Sequence, residues 1–323
     1  MQRKNHHSIN FHFNAEIKIQ YLFMLGITIL GSNSAVPSFG RHPTAQIITF
    51  RDQLFLIDCG EGAQMQMNQY KIRKNRINHI FISHLHGDHY FGLIGLLSSM
   101  NLLGREQPIH IYAPAPLQPL LELQCKISGG PLGFTLHFYP LTKAEKIVDD
   151  KHVEVHCFPT KHSIECWGFL FKEKKTNRRI NNNSTALKDI PFEFYKYLQQ
   201  GDDYIKEDGA VIPNHTVTIE GTSPQSYAFC ADTLYDEELL SHITQVNLLY
   251  HEATYLDEMN DKAAGRFHST TKQAATIAQK AQAKRLLIGH FSSKYEKLDA
   301  FLEEAQTIFP NTSLALEGIT YRM

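Results

Sequence analysis

The stretch Ser83-His-Leu-His-Gly-Asp-His89 decides how this sequence is interpreted. It follows an apolar run with the pattern of a buried strand, so its polar side chains are expected in a turn at a strand end. Imidazole nitrogens and carboxylate oxygens are ligands of zinc and related divalent ions. At this spacing His84 and His86 can share one ion, while Asp88 and His89 reach a second. A surface histidine cluster is the alternative, but this pattern seldom arises by chance.

Four ligands cannot complete two metal sites, so further ligands are expected downstream. Three candidates stand just beyond predicted strands: His162, Asp232 and His290. The C-terminal ends of strands are where α/β sheets carry their sites. Each residue taken alone could be an ordinary loop residue, but their order after the histidine motif predicts one shared centre.

The periodicity of the remaining sequence predicts the fold class. Strands are predicted at residues 25–30, 45–50, 54–58, 78–83, 109–113, 153–158, 167–171, 227–230, 246–250, 285–288 and 313–321. Helices are predicted at residues 91–103, 271–284 and 297–308. Because strands come early in each half and helices later, the pattern favours an α/β fold with two sheets between helices.

Composition restricts the class of protein. The chain has 323 residues, of which 42% are hydrophobic, so it can bury a large core. It contains no apolar run of the roughly 18 residues that a membrane span requires, and no stretch typical of a signal peptide. The five cysteines lack C-x-x-C spacing, which favours reduced thiols over disulfides or a thiolate metal site. We therefore expect a cytoplasmic enzyme.

Two segments differ from the rest of the chain. Residues 1–23 show little periodicity and are expected to be an N-terminal extension of one domain spanning 24–323. Residues 172–224 are polar, and we expect them to form a flexible arm inserted into that domain. The formal net charge is −1, so attraction to a polyanion would depend on local basic runs such as 71–76 and 172–179. A solvated charged surface is the alternative for either run.

These residues resemble the metallo-β-lactamase superfamily and, within it, the ribonuclease Z family of tRNA 3′-processing endonucleases. The resemblance covers about residues 24–323. It rests on the segments Gly31-Ser-Asn-Ser-Ala-Val-Pro37, Phe55-Leu-Ile-Asp-Cys-Gly-Glu-Gly62, Ser83-His-Leu-His-Gly-Asp-His89, His251-Glu-Ala-Thr254, His268-Ser-Thr270 and His290-Phe-Ser-Ser-Lys-Tyr295. The resemblance implies the metallo-β-lactamase fold, an αββα four-layer sandwich of two sheets flanked by helices.

The resemblance also implies a centre with two zinc ions per subunit. The ligands it implies are His84, His86 and His162 for one ion, Asp88, His89 and His290 for the other, and Asp232 as a bridge. Such a pair of ions clamps the attacking and leaving oxygens of a displacement and acidifies a water. Asp88 would orient that water and accept its proton. Glu252 would hold and charge His268, the general acid that protonates the leaving ribose 3′-oxygen.

In bacterial relatives an insertion at the position of residues 172–224 binds tRNA, and the relatives form homodimers. The resemblance therefore implies tRNA binding by this insertion and a homodimeric assembly. The basic residues implied to contact RNA are Lys174, Lys175, Arg178, Arg179 and Lys294. The chain departs from the family pattern in three respects. The arm lacks a glycine-proline-rich segment, Cys230-Ala-Asp-Thr233 replaces Ser-Gly-Asp-Thr, and Lys294 stands where arginine is common. These departures concern tRNA docking and leave the metal ligands unchanged.

Three functions are compatible with these features. The first is a zinc-dependent endoribonuclease that removes 3′ trailers from precursor tRNA and leaves a tRNA 3′-hydroxyl. The second is a dizinc hydrolase of a small ester, such as a cyclic nucleotide, sulfate ester or thioester. The third is a non-catalytic RNA-binding scaffold. The polar arm and the pair Glu252 and His268 favour the first, because a small-molecule enzyme needs no long arm and a scaffold would have lost ligands.

Overall fold

Two seven-stranded sheets form the centre of the computed structural model, which describes residues 25–221 and 223–323. The extension predicted at residues 1–23 lies outside the described residues. The first sheet has the order β18-β1-β2-β3-β4-β5-β6. Its strands are β1 (Leu25–Gly31), β2 (Ala45–Phe50), β3 (Gln53–Ile57), β4 (Ile77–Phe81), β5 (Ile109–Ala113), β6 (Leu136–Pro140) and β18 (Thr320–Arg322).

The second sheet has the order β17-β16-β15-β14-β9-β8-β7. Its strands are β7 (Glu145–Asp149), β8 (Val153–Pro159), β9 (Trp167–Glu173), β14 (Ser226–Cys230), β15 (Leu248–Glu252), β16 (Leu286–Gly289) and β17 (Thr312–Leu314). Strands β14 to β17 are parallel to one another, whereas β7, β8 and β9 pair antiparallel.

Helices cover the outer faces of both sheets and also occur in the insertion. Their bounds are α1 (Ala63–Gln69), α2 (Gly87–Tyr90), α3 (Leu93–Leu102), α4 (Leu117–Ile127), α5 (Tyr195–Gln200), α6 (Asn214–Val217), α7 (Leu240–Ile243), α8 (Asn260–Gly265), α9 (Thr271–Lys280) and α10 (Asp299–Gln306). Helix α9 begins at a capping box in which Thr270 and Gln273 satisfy each other's backbone amides. Short 3-10 turns add Lys74–Arg76, Thr185–Asp189, Phe192–Phe194, Glu237–Leu239 and Asp257–Met259.

The core has three layers of buried apolar contacts. Between the sheets, large aromatic rings interdigitate, as Phe55 and Phe81 do with Phe171 at centroid distances of 5.6 and 5.4 Å. Separate clusters lie under α1, α3 and α4 on one side, and under α9 and α10 on the other. Strand β1 is buried along its whole length, as expected for a strand covered on both faces. The αββα arrangement implied by the resemblance is therefore confirmed.

The end of the chain corrects one sequence-based expectation. Residues 313–321 were expected to form one strand, but β17 belongs to the second sheet and β18 to the first. The chain turns between them at Gly318, whose φ of +80° is a conformation that side chains other than glycine rarely adopt. A single strand is therefore excluded by the turn, and the last strand closes the edge beside β1.

The insertion between β9 and β14 is a small folded unit. It contains two pairs of short strands, β10 (Arg179–Ile180) with β13 (Thr218–Ile219), and β11 (Tyr204–Ile205) with β12 (Val211–Ile212). It also has its own apolar cluster, formed by Leu187, Ile190, Leu198, Ile212 and Val217. The polar composition of residues 172–224 predicts an inserted arm but does not predict this internal cluster.

Candidate metal centre

The seven predicted ligands converge at one edge of the sandwich. Strand β4 leads into the histidine turn, and β8, β14 and β16 lead to the loops that carry His162, Asp232 and His290. Strand β9 is antiparallel to both β8 and β14, so those two run in the same direction and end at the same edge. Strand β16 runs in the same direction as β14. Strand direction therefore brings the loops that carry His162, Asp232 and His290 to the same edge, although these residues are far apart in the sequence.

One group of ligand atoms contains three imidazoles and a carboxylate. His84, His86, His162 and Asp232 each offer an atom within 4.8 Å of all the others. His86 Nδ1 lies 3.1 Å from His84 Nε2 and 3.1 Å from His162 Nε2. Three ring nitrogens this close, with a carboxylate oxygen 3.7 Å from His84 Nε2, suit a shared cation.

A second group lies beside the first, and Asp232 is close to both. Asp88, His89 and His290 also offer atoms within 4.8 Å of one another. Asp88 Oδ2 lies 3.6 Å from both His89 Nε2 and His290 Nε2. Asp232 Oδ1 lies 3.2 Å from His290 Nε2, and Asp232 Oδ2 lies 3.5 Å from His89 Nε2 and 3.7 Å from His84 Nε2. The carboxylate therefore lies between the two groups, as a bridging ligand must.

Hydrogen bonds behind the imidazoles fix which nitrogen faces the centre. His89 donates its Nδ1 proton to Asp58 Oδ2 over 2.7 Å, and His162 donates its Nδ1 proton to the Phe267 carbonyl over 2.9 Å. The Nε2 atoms of His89 and His290 are buried and have no hydrogen-bond partner among the described residues. Buried polar atoms seldom lack partners, so these two nitrogens fit the position of metal ligands, and the donor set of nitrogen and oxygen fits zinc.

Asp58 holds one of the predicted ligands, a role that the sequence alone did not indicate. Its carboxylate is fully buried and accepts hydrogen bonds from the backbone N–H and the hydroxyl of Ser83, at 2.8 and 3.0 Å, as well as from His89. An aspartate directly after the apolar strand at residues 54–57, just upstream of the histidine motif, was the available signal. The Phe267 carbonyl had no signal, because any residue could supply it.

The backbone is strained at three points around the centre. Asp58, Phe267 and His290 have φ values of +53°, +58° and +61°, in the left-handed region. Such conformations cost on the order of 1–3 kcal/mol each and persist where the surrounding structure enforces them. All three residues either contact the centre or hold one of its ligands.

The carboxylates of the centre remain ionised. Burial opposes the charge of Asp232, but the neighbouring His290 and His89 hold its pKa well below the usual range. Asp88 behaves in the same way, with burial outweighed by His89 and His290. His84 is different, because burial and the neighbouring His89 lower its pKa well below that of a free histidine. A neutral His84 beside ionised carboxylates is the protonation state that binds a cation.

Glu252 and His268 form an ion pair at the same edge. His268 donates its Nδ1 proton to Glu252 Oε1 over 2.8 Å, and the same nitrogen lies 3.9 Å from Asp232 Oδ2. Burial disfavours the charged imidazole, but the Glu252 carboxylate raises the pKa of His268 to about 9. His268 therefore carries a proton near neutral pH, as a general acid must.

A cleft of about 470 Å³ gives access to these groups. Asp88, Asp232 and His268 line it together with Val36 and Phe91, which are exposed at its mouth. Asp88 is held there by the backbone N–H of Ala35, which donates to Oδ2 over 2.8 Å. A substrate entering the cleft meets the candidate base and acid in one place.

The basic residues predicted to contact RNA do not lie at this cleft edge as a group. Lys174 pairs with Asp149, and Arg178 donates to Thr218 and Glu220. Lys175 and Arg179 are exposed and have no ion-pair partner among the described residues. Lys294 is also exposed, with its Nζ 5.6 Å from the centroid of the Tyr295 ring.

The arm leaves the body at the end of the sheet opposite to the metal-ligand groups. Strand β9 begins with Trp167, whose backbone N–H donates to the Ser83 carbonyl beside the histidine turn. The strand then runs away from that turn to Glu173. There the Glu173 N–H donates to the Gln225 carbonyl over 2.8 Å, where the chain returns into β14. The attachment point of the arm is therefore at the opposite end of β9 from the metal-ligand groups.

The chain is similar in sequence to several known proteins. The chain is 42% identical to Ribonuclease Z of Porphyromonas gingivalis over 295 residues, which are 90% of this chain and 96% of that protein. It is 45% identical to Ribonuclease Z of Cytophaga hutchinsonii over 296 residues, 91% of this chain and 94% of that one. Residues 25–180 match the family model described as Anti-Pycsar protein Apyc1.

Solved structures give the same picture. The crystal structure of human tRNase Z, short form, superimposes with a TM-score of 0.66 and 26% identity, covering 92% of this chain and 98% of that one. A metallo-β-lactamase fold protein from Bacillus subtilis has a TM-score of 0.66 at 16% identity, covering 93% of this chain and all of that one, and supports the fold alone. Within residues 25–221 and 223–323, none of the helices has the length and apolar character to cross a membrane.

Proposed function

The chain belongs to the ribonuclease Z family, and from this premise we propose that it is an endoribonuclease that removes 3′ trailers from precursor tRNA. The observation that carries the proposal is the meeting of both metal-ligand groups with the pair Glu252 and His268 at one edge of the sandwich. Members of all three, namely His86, Asp88, Asp232 and His268, line one cleft. A phosphodiester with an unactivated alcohol as leaving group needs both a nucleophile and a proton donor. This cleft offers groups for both.

The metal-ligand residues fit two zinc ions per subunit. His84, His86 and His162 would hold one ion and Asp88, His89 and His290 the other, with Asp232 between them. When bound, the ions supply Lewis acidity to the phosphate and lower the pKa of an attacking water. All seven side chains offer nitrogen or oxygen, which are the ligands of catalytic zinc sites.

The protein side chains move the protons of the reaction. Asp88, fixed by the Ala35 N–H, accepts the proton of the attacking water. The water oxygen bonds to phosphorus as the bond from phosphorus to the ribose 3′-oxygen breaks. His268, charged beside Glu252, gives its proton to that 3′-oxygen. The products are a tRNA with a 3′-hydroxyl and a trailer with a 5′-phosphate.

The proposed phosphate contacts are Lys175, Arg179 and Lys294, because all three are exposed. The side chains of Lys175 and Arg179 have no ion-pair partner among the described residues. Lys174 and Arg178 would contribute less, since each is already engaged within the protein. Residues 172–224 contain eight basic and eight acidic residues, so the segment has no formal net charge. RNA binding by the arm would therefore depend on local charge and be reduced by salt.

A homodimer is proposed as the assembly. Helices α3 and α4 border a shared apolar groove and carry exposed side chains, including Leu102, Leu123 and Ile127, which are 86%, 53% and 76% exposed. Apolar patches of this kind favour association. The molecular mass in solution, measured by light scattering, would be twice that of the chain, whereas the mass of a monomer would refute the dimer.

The five cysteines are free, and we propose a cytoplasmic location, where thiols stay reduced.

Cleavage of a labelled precursor tRNA by the zinc-loaded protein tests the proposed function. We expect one cut that releases the trailer, loss of cleavage with a chelator, and a 3′-hydroxyl at the mapped end. Asp88→Ala should remove cleavage while the protein stays folded and still binds the RNA. An intact trailer, with hydrolysis of bis(p-nitrophenyl) phosphate under the same conditions, would instead indicate a hydrolase of small esters.

A further inference from the structure

The hydroxyl of Thr254 lies between the general-acid pair and the metal ligands. Its Oγ1 is 2.7 Å from Glu252 Oε2 and 3.0 Å from His290 Nδ1, and the residue is 1% exposed. A hydroxyl has one proton to donate, and an ionised carboxylate can only accept. Thr254 therefore donates to Glu252 and accepts the Nδ1 proton of His290. The direction of both hydrogen bonds follows from this chemistry.

This arrangement determines the tautomer of His290. With the Nδ1 proton held by Thr254, the Nε2 lone pair faces Asp232 Oδ1 at 3.2 Å and Asp88 Oδ2 at 3.6 Å. His290 also has a left-handed φ of +61°, so its ring is held in place both by the backbone and by this hydroxyl. A ring with the proton on Nε2 could not bind a metal through that atom.

The same hydroxyl completes the surroundings of Glu252. Oε1 accepts from the Thr233 N–H at 3.1 Å and from His268 at 2.8 Å. Oε2 accepts from the backbone N–H of Thr254 at 3.0 Å and from its hydroxyl. Glu252 is fully buried, so each of these bonds replaces water that the carboxylate has lost. Without the hydroxyl, Oε2 would keep one partner.

We propose that Thr254 is a positioning residue that links the two halves of the active site: it orients His290 for metal binding and Glu252 for holding His268. The part concerning His268 rests on the proposed function, whereas the part concerning metal binding does not. Among the described residues, no other side chain is hydrogen-bonded to both Glu252 and His290. Thr254 is thus the hydrogen-bonded connection between them.

Thr254→Val and Thr254→Ser separate the hydroxyl from the shape of the side chain. Valine keeps the volume but leaves His290 Nδ1 without its acceptor, and we expect affinity for one of the two zinc ions to fall about 10–100-fold. Serine keeps the hydroxyl and should restore affinity to within about threefold. The measurements are zinc competition with a chromophoric chelator and kcat on precursor tRNA. Thr28→Val is the matched control, because it removes a buried hydroxyl bonded to Thr320 at 2.8 Å, away from the centre.

Two outcomes would overturn the inference: wild-type zinc affinity in Thr254→Val, or equal losses in the valine and serine variants. If the valine variant does not fold, nitrogen-15 NMR of the histidines in the zinc-loaded wild type gives a second test. The signal of His290, assigned by its loss in His290→Asn, should show a proton on Nδ1, and an Nδ1 without a proton would refute the role. Absence of tRNA cleavage by the wild type would remove the proposed function but leave the zinc measurement valid.

Discussion

Asp58 shows at the scale of one residue how a ligand is prepared for its metal. It binds His89 from behind and is itself held by both donors of Ser83. We expect Asp58→Asn to weaken zinc binding about 10–100-fold, because an uncharged amide holds the Nδ1 proton less strongly and leaves Nε2 less basic. Chelator competition measures the change.

The control for this substitution is Asp150→Asn. Asp150 also accepts a side-chain hydrogen bond, from Gln53 at 2.7 Å, but lies in the turn between β7 and β8, remote from the centre. It should keep the zinc affinity of the wild type. Equal zinc affinity in the two variants would contradict the role of Asp58.

The loss of activity in a His268 variant is expected to depend on whether the leaving group needs a proton. In His268→Ala the ribose 3′-oxygen loses its proton donor, so kcat on precursor tRNA should fall about 10²–10⁴-fold. Nitrophenolate leaves without protonation, so hydrolysis of bis(p-nitrophenyl) phosphate should fall much less. Parallel steady-state rates on the two substrates check this. Similar losses on both would mean that His268 binds or positions the phosphate and does not protonate the leaving group.

The residues that could not be assigned from the sequence are those that hold other residues in position. His84, His86, Asp88 and His89 could be predicted because metal ligands have a spacing. Thr254 could be quoted as part of a family segment, but its hydrogen bond to His290 spans 36 positions and leaves no periodic trace. Partners of this kind become visible only when strand order and direction are known.

At the scale of elements, strands β4, β5 and β6 carry an unusual stack of histidines. His79, His110 and His137 lie in register on neighbouring strands, with ring centroids 4.9 Å apart at each step. Burial, together with the neighbouring His110, lowers the pKa of His79 to about 4, although Asp150 acts in the opposite direction. The ring therefore stays neutral in the folded protein at a pH where the unfolded chain binds a proton.

This difference predicts a pH dependence of stability. A histidine titrates near 6.5 when unfolded, so between pH 6.5 and 4 the unfolded state takes up a proton that the folded state does not, and stability falls as pH falls. His79→Phe should remove about 2 kcal/mol of the loss between pH 7 and pH 5. Urea unfolding of variant and wild type at both pH values measures this. The same pH dependence in both proteins would show that His79 is not the group responsible.

The insertion is expected to act separately from the chemistry. Replacing residues 176–221 by a short Gly-Ser linker removes both strand pairs and their apolar cluster, while the hydrogen bond between Glu173 and Gln225 keeps the ends together. Binding of precursor tRNA, measured by filter retention, should weaken about three- to tenfold, because Arg179 is lost whereas the other two proposed phosphate contacts, Lys175 and Lys294, remain. Hydrolysis of bis(p-nitrophenyl) phosphate serves as the internal control. A parallel decrease in both would show that the insertion supports the centre itself.

For the whole molecule, the sheets should stay folded without metal. The aromatic cluster between the sheets contains none of the seven ligands, so its packing does not depend on an ion. Dialysis against a chelator should abolish activity and lower the melting temperature by about 5–10 °C, because zinc binds only the native state. Circular dichroism in the far and near ultraviolet would follow the structure. Loss of the near-ultraviolet signal at 25 °C would show that metal holds the fold together.

The overall architecture was predictable to the level of layers but not of connections. Short apolar runs early in each half and helical periodicity later in each half indicated two sheets between helices, because strands buried on both faces have a recognisable composition. The pairing of β18 with β1 could not be predicted, since a pattern of residues records burial and not the partner across the sheet. The apolar cluster of the insertion was missed because its members are dispersed among polar residues.

That last pairing has a consequence during synthesis of the protein. Thr28 in β1 and Thr320 in β18 are 292 positions apart, yet their hydroxyls are bonded. A ribosome adding about 5–20 residues per second needs roughly 15 to 60 seconds to cover that separation. Throughout this interval the outer edge of β1 is without its neighbour, and unpaired edges invite association with other chains. The nascent polypeptide is therefore expected to be most prone to such association before its final strand emerges.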